Sequence, residues 1–329
     1  MDVVVVAIST FLLGIDGGVS RGISKDDARY EFHDLNGMVD PQYQFPVSIA
    51  SVGDCLDNQA VKWVRSLNSE NGNTTVKEAR ELTNISKEAQ NRIMTGDKSL
   101  VLLLISYYGT GCFYAQKKEK KNIKSLTEFK RQVGYVDCMA AESNEKLMLN
   151  WFHTQTLKGL QEQQRTGVIE KSLLLKTVET AICKCFERIS GAKNASIIFD
   201  LGTHRLVLDF ESAGGILQKF AMDEMSDGYK NTLSMIGDIA YRMAVLNLML
   251  GEKVLEETPG DILIDEIDLH LHPQWQQTII SDLISIFPKI QFIVSSHAPA
   301  VINSVSREQI RILDNGDIYI PAARHMEEM

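Results

Sequence analysis

Two short apolar runs near the end of the chain predict the centre of the fold. Residues 262–264 and Ile290–Val294 are apolar and rich in β-branched side chains, which favours strands that are covered on both faces. Between them, apolar residues recur at helical spacing over residues 275–287. A strand, a helix and a second strand in this order predict a crossover connection that leaves the two strands parallel in one sheet.

The rest of the chain alternates between strand-like and helical patterns. Strand-like runs lie at residues 45–49, 61–65, 99–108, 195–199, 205–210, 310–313 and 318–320. Helical patterns cover residues 2–13, 74–94 and 142–189, with a break near Gly167, and a further long helix follows Ser226. The alternation predicts an α/β protein, and no internal repeat or low-complexity segment interrupts it.

Polar side chains follow both central runs, at the point where each predicted strand ends. Asp265 and Glu266 come directly after residues 262–264, and His297 follows Ile290–Val294. Because ligands bind at the carboxyl edge of open α/β sheets, these three side chains are expected to converge there. The alternative is that the carboxylates cap the next helix or lie in solvent, and a single histidine is more often structural.

The start of the long helix after Ser226 is a second candidate site. The string from Glu224 to Lys230 (EMSDGYK) places Ser226 as the N-cap, while Gly228 keeps the first turn free of side chain. A helix start with free N–H groups and a serine hydroxyl suits an anionic phosphate. An ordinary capped helix is the commoner explanation of such a string.

In this order, the motifs resemble the ATPase heads of the ABC/SMC class within the broad AAA families. The signature motif is similar to residues 225–230, the Walker B strand to 262–266, the D-loop to 267–270, and the switch histidine to His297. Strings spread over the chain also resemble a bacterial family of predicted ATP-binding proteins once linked to virulence. Its relatives include ATPase subunits of Septu-type and some retron-associated anti-phage systems. The resemblance implies a P-loop NTPase with a mixed sheet, an antiparallel β layer and a helical lobe.

The resemblance also implies roles for the residues at the strand ends. Asp265 would hold Mg²⁺, and Glu266 would orient or deprotonate the attacking water. His297 would contact the γ-phosphate of ATP, and Asp268 would lie at the subunit interface as the D-loop acid. These roles make ATP and Mg²⁺ the expected cofactors and Glu266 and His297 the expected catalytic residues.

In this class the nucleotide site is shared between two copies. Ser226 and Gly228 of one copy would contact the γ-phosphate held by the other, so that ATP joins a homodimer or higher oligomer and its hydrolysis releases it. The implied function is the ATPase subunit of an anti-phage or DNA-related system. A nuclease or other effector would be a separate partner chain.

The family's phosphate-binding loop is the main departure from this pattern. No Gly-x-x-x-x-Gly-Lys-[Ser/Thr] string occurs in the 329 residues, so the first strand and the phosphate loop are expected to be missing ahead of the helix at residues 2–13. We expect a start codon assigned too far downstream rather than an inactive truncated form. A catalytically dead scaffold that acts through partner binding is the alternative function.

The resemblance divides the chain, as a single ATPase head, into three parts. Residues 1–111 would be the half that lacks the phosphate loop, 112–190 a basic loop and helical lobe, and 191–329 the half with the signature, Walker B and switch histidine. The basic cluster at residues 117–121 indicates either a solvated loop or contact with nucleic acid or a partner. Imidazoles at His270, His272 and His297 leave a metal site as a further alternative.

Composition narrows the class further. A net charge of −9 argues against indiscriminate nucleic-acid binding, and five scattered cysteines argue against a disulfide framework. The closely spaced Cys183 and Cys185 are expected to serve packing. The apolar N-terminal residues 1–13 lack a positive flank and are too short to span a bilayer. We therefore expect a cytoplasmic protein without a membrane segment.

Overall fold

The structure is a computed structural model that describes residues 1–35, 38–110, 130–140, 145–168, 171–269, 271–314 and 317–321. The α-helices within these ranges are α1 (Asp2–Ser9), α2 (Arg80–Met94), α3 (Glu145–Thr166), α4 (Leu173–Ser190), α5 (Asp227–Leu246), α6 (Val254–Glu257), α7 (Pro273–Gln276), α8 (Ile279–Ile286) and α9 (Pro299–Ile302). The strands are β1 (Tyr30–Leu35), β2 (Met38–Tyr43), β3 (Val47–Cys55), β4 (Asn58–Leu67), β5 (Leu104–Tyr108), β6 (Lys193–Asp200), β7 (Arg205–Glu211), β8 (Leu217–Ala221), β9 (Gly260–Ile264), β10 (Ile290–Val294), β11 (Ile312–Asp314) and β12 (Asp317–Tyr319).

A parallel sheet in the order β10-β9-β5 forms the centre of the described structure. The register pairs Ile264 of β9 with Val294 on one side and with Tyr108 on the other, so all three strands end at one edge. The apolar side chains of β9 are fully buried, as expected for a strand covered on both faces. The predicted strand–helix–strand crossover, with its two parallel strands, is therefore confirmed.

Close packing inside this sheet explains the glycine that opens β9. A Cβ atom on Gly260 would lie 2.1 Å from the carbonyl oxygen of Leu104, which is backbone and cannot move aside. Only glycine permits this approach, so Gly260 lets β9 pair along its whole length with β5.

Antiparallel pairs surround the parallel centre. The pairs are β1 with β2, β3 with β4, β11 with β12, and the three-stranded set β6-β7-β8. The Trp63 indole of β4 donates a hydrogen bond of 3.1 Å to the Ala7 carbonyl, which ties α1 to the β3–β4 pair. The mixed α/β class and the antiparallel layer that the sequence predicts are confirmed.

The helical layer is centred on α4 and α5. Both helices present apolar residues at a spacing of three or four, and the fully buried ones are Val178, Ala181, Ile182, Cys185, Leu233, Ile236, Ile239, Ala240, Met243 and Leu246. Ser172 caps α4 by accepting a hydrogen bond from the Leu175 N–H, and Gly191 ends it in the left-handed conformation. The two predicted helices with a break near Gly167 are confirmed, and Cys185 is a packing residue.

Two elements differ from their predicted lengths. The apolar run at residues 99–108 contributes a strand only from Leu104, because the buried Asn247 side chain occupies both backbone groups of Leu102, at 2.8 and 2.9 Å. The helix predicted at residues 275–287 is divided into α7 and α8 at Gln277 and Thr278. The first departure comes from a hydrogen-bonded side chain that is distant in sequence, which apolar periodicity does not encode.

Two sequence predictions fall on residues outside the described ranges. They concern the basic cluster at residues 117–121 and His270. The division of the chain at residues 111 and 190 stays a prediction. No helix in the described part of the chain combines the length and apolar character that crossing a bilayer requires.

Candidate functional site

The acidic residues after β9 form a loop at the carboxyl edge of the parallel sheet. The Asp265 N–H donates to the Tyr108 carbonyl at the end of β5 (2.8 Å), which continues the pairing of β9 with β5 one residue beyond the strand. Glu266 then has a φ of 50°, a left-handed conformation that is uncommon for a residue with a side chain. The chain therefore turns sharply at the two carboxylates.

Two serines from the end of β10 hold this acidic loop. The Ser295 hydroxyl donates to Asp265 Oδ1 and accepts the Glu266 N–H at 2.9 Å. The Ser296 hydroxyl donates to Asp268 Oδ1 at 2.5 Å. The acidic loop (residues 265–268) and the serine pair that precedes His297 therefore lie against each other, as the strand topology predicts.

The acidic loop concentrates negative charge. In the part of the chain that the structure describes, no lysine or arginine forms an ion pair with Asp265, Glu266 or Asp268, and the side-chain partners of the two aspartates are hydroxyls. Oxygen donors on uncompensated carboxylates suit a hard cation such as Mg²⁺. The donor set at Asp265 therefore fits the metal that the sequence resemblance implies.

His297 lies next to the serine pair, with an exposed side chain. Its backbone position is set by its neighbours, since the Ala298 N–H donates to the Ser296 hydroxyl at 3.1 Å. His297 thus lies at the same sheet edge as Asp265 and Glu266, and its imidazole is accessible to a ligand.

The start of α5 carries Ser226 at the position that the sequence predicts. Ser226 has the extended backbone of an N-cap, and its carbonyl accepts the Lys230 N–H at 3.0 Å. Its hydroxyl, however, makes no capping hydrogen bond, because the exposed side chain is not turned back onto the helix. The prediction that Ser226 is the N-cap of this helix is confirmed, and its hydroxyl takes no part in the capping. Gly228 is buried in the first turn.

The helix start and the acidic loop are connected through aromatic packing. The ring of Tyr229 lies 4.1 Å from that of Trp275, edge to face, and Trp275 belongs to the short α7 that follows the acidic loop. Within the described ranges no hydrogen bond joins Ser226 or Gly228 to the acidic loop. The structure thus brings Asp265, Glu266, Asp268 and the His297 segment together at one edge of the sheet.

The histidines of the metal alternative are used differently. His272 is the N-cap of α7, and its Nδ1 accepts the Gln274 N–H at 3.3 Å. No group of three or more His, Cys, Asp or Glu side chains among the described residues is arranged to hold a metal ion. His270 lies outside those residues.

A buried polar network behind the site was not predicted from the sequence. The hydroxyl of Tyr108 and Nε of Arg242 both donate to Asp238 Oδ2 at 2.7 Å. Arg242 also donates to the carbonyls of Gly134 and Val136, at 2.8 and 2.9 Å. Spacing of Asp238 and Arg242 at i, i+4 within α5 was the one signal available in the sequence.

Burial and charge shape the titration of this network. Burial raises the pKa of the Tyr108 hydroxyl well above its usual value, so it stays a donor. Burial alone would lower the pKa of Arg242, but the adjacent Asp238 carboxylate, together with Tyr108 and Cys138, outweighs burial and keeps that pKa above its usual range. The network therefore holds one permanent ion pair between α5 and the last residue of β5.

Comparison with known proteins agrees with the motifs. Residues 185–303 match the family model described as "AAA domain, putative AbiEii toxin, Type IV TA system". The chain is 47% identical over 93 residues to the "Retron Vc95 probable ATPase" of Vibrio cholerae serotype O1 biovar El Tor, and 36% identical over 176 residues to the "Retron Ec83 probable ATPase" of Escherichia coli. It is 35% identical over 92 residues to the "Septu protein PtuA" of Bacillus mycoides (strain KBAB4).

These similarities cover parts of each protein. The matches span 28%, 54% and 28% of this chain, and 18%, 30% and 12% of the respective relatives. The family model covers the acidic loop, the start of α5 and His297 together. Residues 185–303 are therefore similar to an AAA domain family, and the chain is similar over parts of its length to the probable ATPases of two retrons and to the Septu protein PtuA.

Proposed function

We propose that this chain binds and hydrolyses ATP at the carboxyl edge of the parallel sheet. The observation that carries the proposal is the acidic loop after β9, which is hydrogen-bonded to the serine pair that precedes His297. A carboxylate pair at the end of a buried parallel strand, with a histidine after the next strand, suits phosphoryl transfer to water.

Asp265 and Glu266 have separate tasks in this proposal. Asp265, with Oδ1 engaged by the Ser295 hydroxyl, would hold Mg²⁺ together with phosphate oxygens of the nucleotide. Bound Mg²⁺ supplies neutralisation of the phosphate charge. Glu266 orients a water molecule and accepts its proton, and its left-handed backbone turns this carboxylate away from the strand direction.

His297 and Asp268 complete the half-site. The exposed His297 imidazole donates to the terminal phosphate, where charge develops during transfer. Asp268 is held by Ser296 and lies at the outer end of the acidic loop, where a D-loop acid would meet a second copy.

The second half-site comes from another copy of the chain. Ser226 has an exposed hydroxyl that does not cap its own helix, and the helix start adds free N–H groups for an anion. In a two-fold dimer each nucleotide would lie between the acidic loop of one copy and the Ser226 end of the other. ATP then favours the dimer, and hydrolysis removes the contacts that hold it.

The biological setting follows from the relatives alone. Two of them are named as retron ATPases and one as a Septu protein, so we propose that the chain is the ATPase subunit of an anti-phage system. An effector, such as a nuclease, would be a partner chain, and nucleic acid is a candidate ligand. This inference is by analogy of family and is independent of the site geometry.

Replacing Glu266 with Gln tests the proposed chemistry. The amide keeps the shape of the side chain but cannot accept a proton, so we expect ATP turnover to fall at least about 100-fold while ATP binding and ATP-dependent dimerisation persist. Phosphate release and light scattering would measure the two effects. The exposed Glu256→Gln variant is the matched control and should retain wild-type turnover.

The comparison should be run on the 329-residue chain and on the chain extended by the residues encoded in frame upstream. Wild-type turnover in the Glu266→Gln variant would remove Glu266 from its role. Failure of both forms to bind ATP would favour the alternative, a scaffold that acts through partner binding.

A further inference from the structure

Ser295 makes more connections to the acidic loop than any role in strand pairing requires. Its backbone N–H donates to the Ile264 carbonyl at 3.0 Å, and its carbonyl accepts the Ile267 N–H at 3.1 Å. Its hydroxyl adds two bonds, donating to Asp265 Oδ1 and accepting the Glu266 N–H at 2.9 Å. Ser295, a half-buried residue directly after β10, therefore contacts the whole turn that carries both carboxylates.

A serine hydroxyl is suited to this double contact. It has one proton to donate and two lone pairs to accept with, so it can serve a carboxylate and an N–H at the same time. A carboxylate in the same place could accept the Glu266 N–H but would repel Asp265. An alanine could neither accept the N–H nor donate to Asp265. The two bonds also meet different requirements, since one orients the Asp265 side chain and the other supports the backbone of Glu266.

The support of Glu266 matters because its φ of 50° is uncommon for a residue with a Cβ. Such conformations persist where surrounding contacts hold them, and they concentrate at functional sites. The Glu266 N–H would otherwise be an unmatched donor in a half-buried turn. The Ser295 hydroxyl is the acceptor that the structure provides for it.

We propose that Ser295 is a positioning residue, whose hydroxyl aligns the metal-binding carboxylate Asp265 and holds Glu266 in its left-handed conformation. Its catalytic consequence rests on the ATPase function proposed above, whereas the hydrogen bonds themselves do not. In this role Ser295 acts through the two acidic residues. Neither the motif pattern nor the relatives assign it this role.

The test compares Ser295→Ala, Ser295→Thr and Ser304→Ala in the full chain. Ser304 is the control, because its hydroxyl donates only to the Val301 carbonyl, at 2.7 Å, away from the acidic loop. The first measurement is residue-resolved amide hydrogen exchange. In Ser295→Ala the Glu266 amide should exchange about tenfold faster, as expected for one lost hydrogen bond, and in Ser304→Ala it should be unchanged.

The second measurement is ATP turnover as a function of Mg²⁺ concentration. Ser295→Ala should lower kcat about tenfold and raise the Mg²⁺ concentration for half-maximal activity several-fold, because Asp265 is no longer held. Ser295→Thr keeps a hydroxyl at this position, so most of the wild-type kcat and most of the wild-type Mg²⁺ affinity should be retained. A residue that only stabilised the fold would change the melting temperature without changing the Mg²⁺ requirement.

The outcomes separate this proposal from the proposed function. Unchanged exchange at Glu266 in Ser295→Ala would overturn the proposal, and so would faster exchange with unaltered turnover and Mg²⁺ requirement. Absence of turnover in the wild-type chain would instead count against the ATPase function, while the exchange measurement alone would still decide whether Ser295 holds the acidic loop.

Discussion

At the scale of single residues, hydroxyl groups rather than cations organise the acidic edge of the sheet. Ser295 and Ser296 hold Asp265 and Asp268, and the described residues supply no basic partner to either aspartate. A lysine in their place would satisfy the charge permanently and leave less affinity for a metal ion. The neutral donors thus leave the loop negative, as the proposed Mg²⁺ site requires.

A second carboxylate in β9 lies in a different environment. Asp261 is half-buried near the start of the strand, and burial raises its pKa from 3.8 to about 6. The folded-state pKa lies above the usual value because burial disfavours the charged carboxylate. The free-energy cost of burying this charge is therefore absent below about pH 4 and grows as the pH rises through 6. The chain should therefore lose stability over this window.

Replacing Asp261 with Asn should remove that loss. At pH 8 we expect the variant to be more stable than the wild-type chain by up to about 3 kcal/mol, with no gain at pH 4. Urea unfolding at both pH values measures the difference. Asp317→Asn, at an exposed position of β12, should show no such pH-dependent gain. An equal effect of Asp261→Asn at both pH values would argue against burial of the charge as the cause.

At the scale of elements, α5 is the piece that connects the two proposed half-sites. Its start carries Ser226, and its middle is joined to the end of β5 through Asp238 and Tyr108. The carbonyl of Tyr108 in turn accepts the Asp265 N–H. The helix and the acidic loop are therefore held to the same strand end.

Removing the cation from this network should be costly. Arg242→Met leaves Asp238 without its ion pair and frees the carbonyls of Gly134 and Val136, so we expect a loss of about 3 kcal/mol in the free energy of unfolding. Tyr108→Phe removes a single hydrogen bond and should cost about 1 kcal/mol. Denaturant titration compares the two.

Arg165→Met is the control for that comparison. Arg165 pairs with Glu162 on the exposed face of α3, and an exposed pair of this kind contributes under about 1 kcal/mol. If Arg242→Met lowered the free energy of unfolding no more than Arg165→Met, the buried network would not contribute measurably to holding α5 against β5.

How far the sequence predicts these elements depends on what encodes them. The parallel pairing of β9 and β10 is visible because apolar run length and strand–helix–strand order determine it. The late start of β5 cannot be seen in the sequence. It arises because the side chain of Asn247, 145 positions away, hydrogen-bonds Leu102 in place of a neighbouring strand. The position of the acidic loop follows from its motif, whereas the bond from Ser295 to Asp265 depends on the register of β10 with β9.

At the scale of the whole molecule, the proposed site is incomplete in one copy. Asp265, Glu266 and the His297 segment lie together at one edge, while Ser226 is exposed and makes no hydrogen bond to them. Sequence motifs predicted this division by resemblance to the ABC/SMC class. Sequence alone does not indicate the partner surface, which depends on how two copies pack.

Mixing two inactive variants tests the shared site most directly. Glu266→Gln removes the carboxylate that accepts the proton from water, and Ser226→Arg blocks the half-site at the start of α5. Each variant alone should therefore lack ATP turnover. In a mixed two-fold dimer, one site combines both defects, and the other combines the intact Glu266 of one copy with the intact Ser226 of the other. An equal mixture should therefore recover about a quarter of wild-type turnover. A mixture that stays as inactive as either variant would contradict a nucleotide site built from two copies.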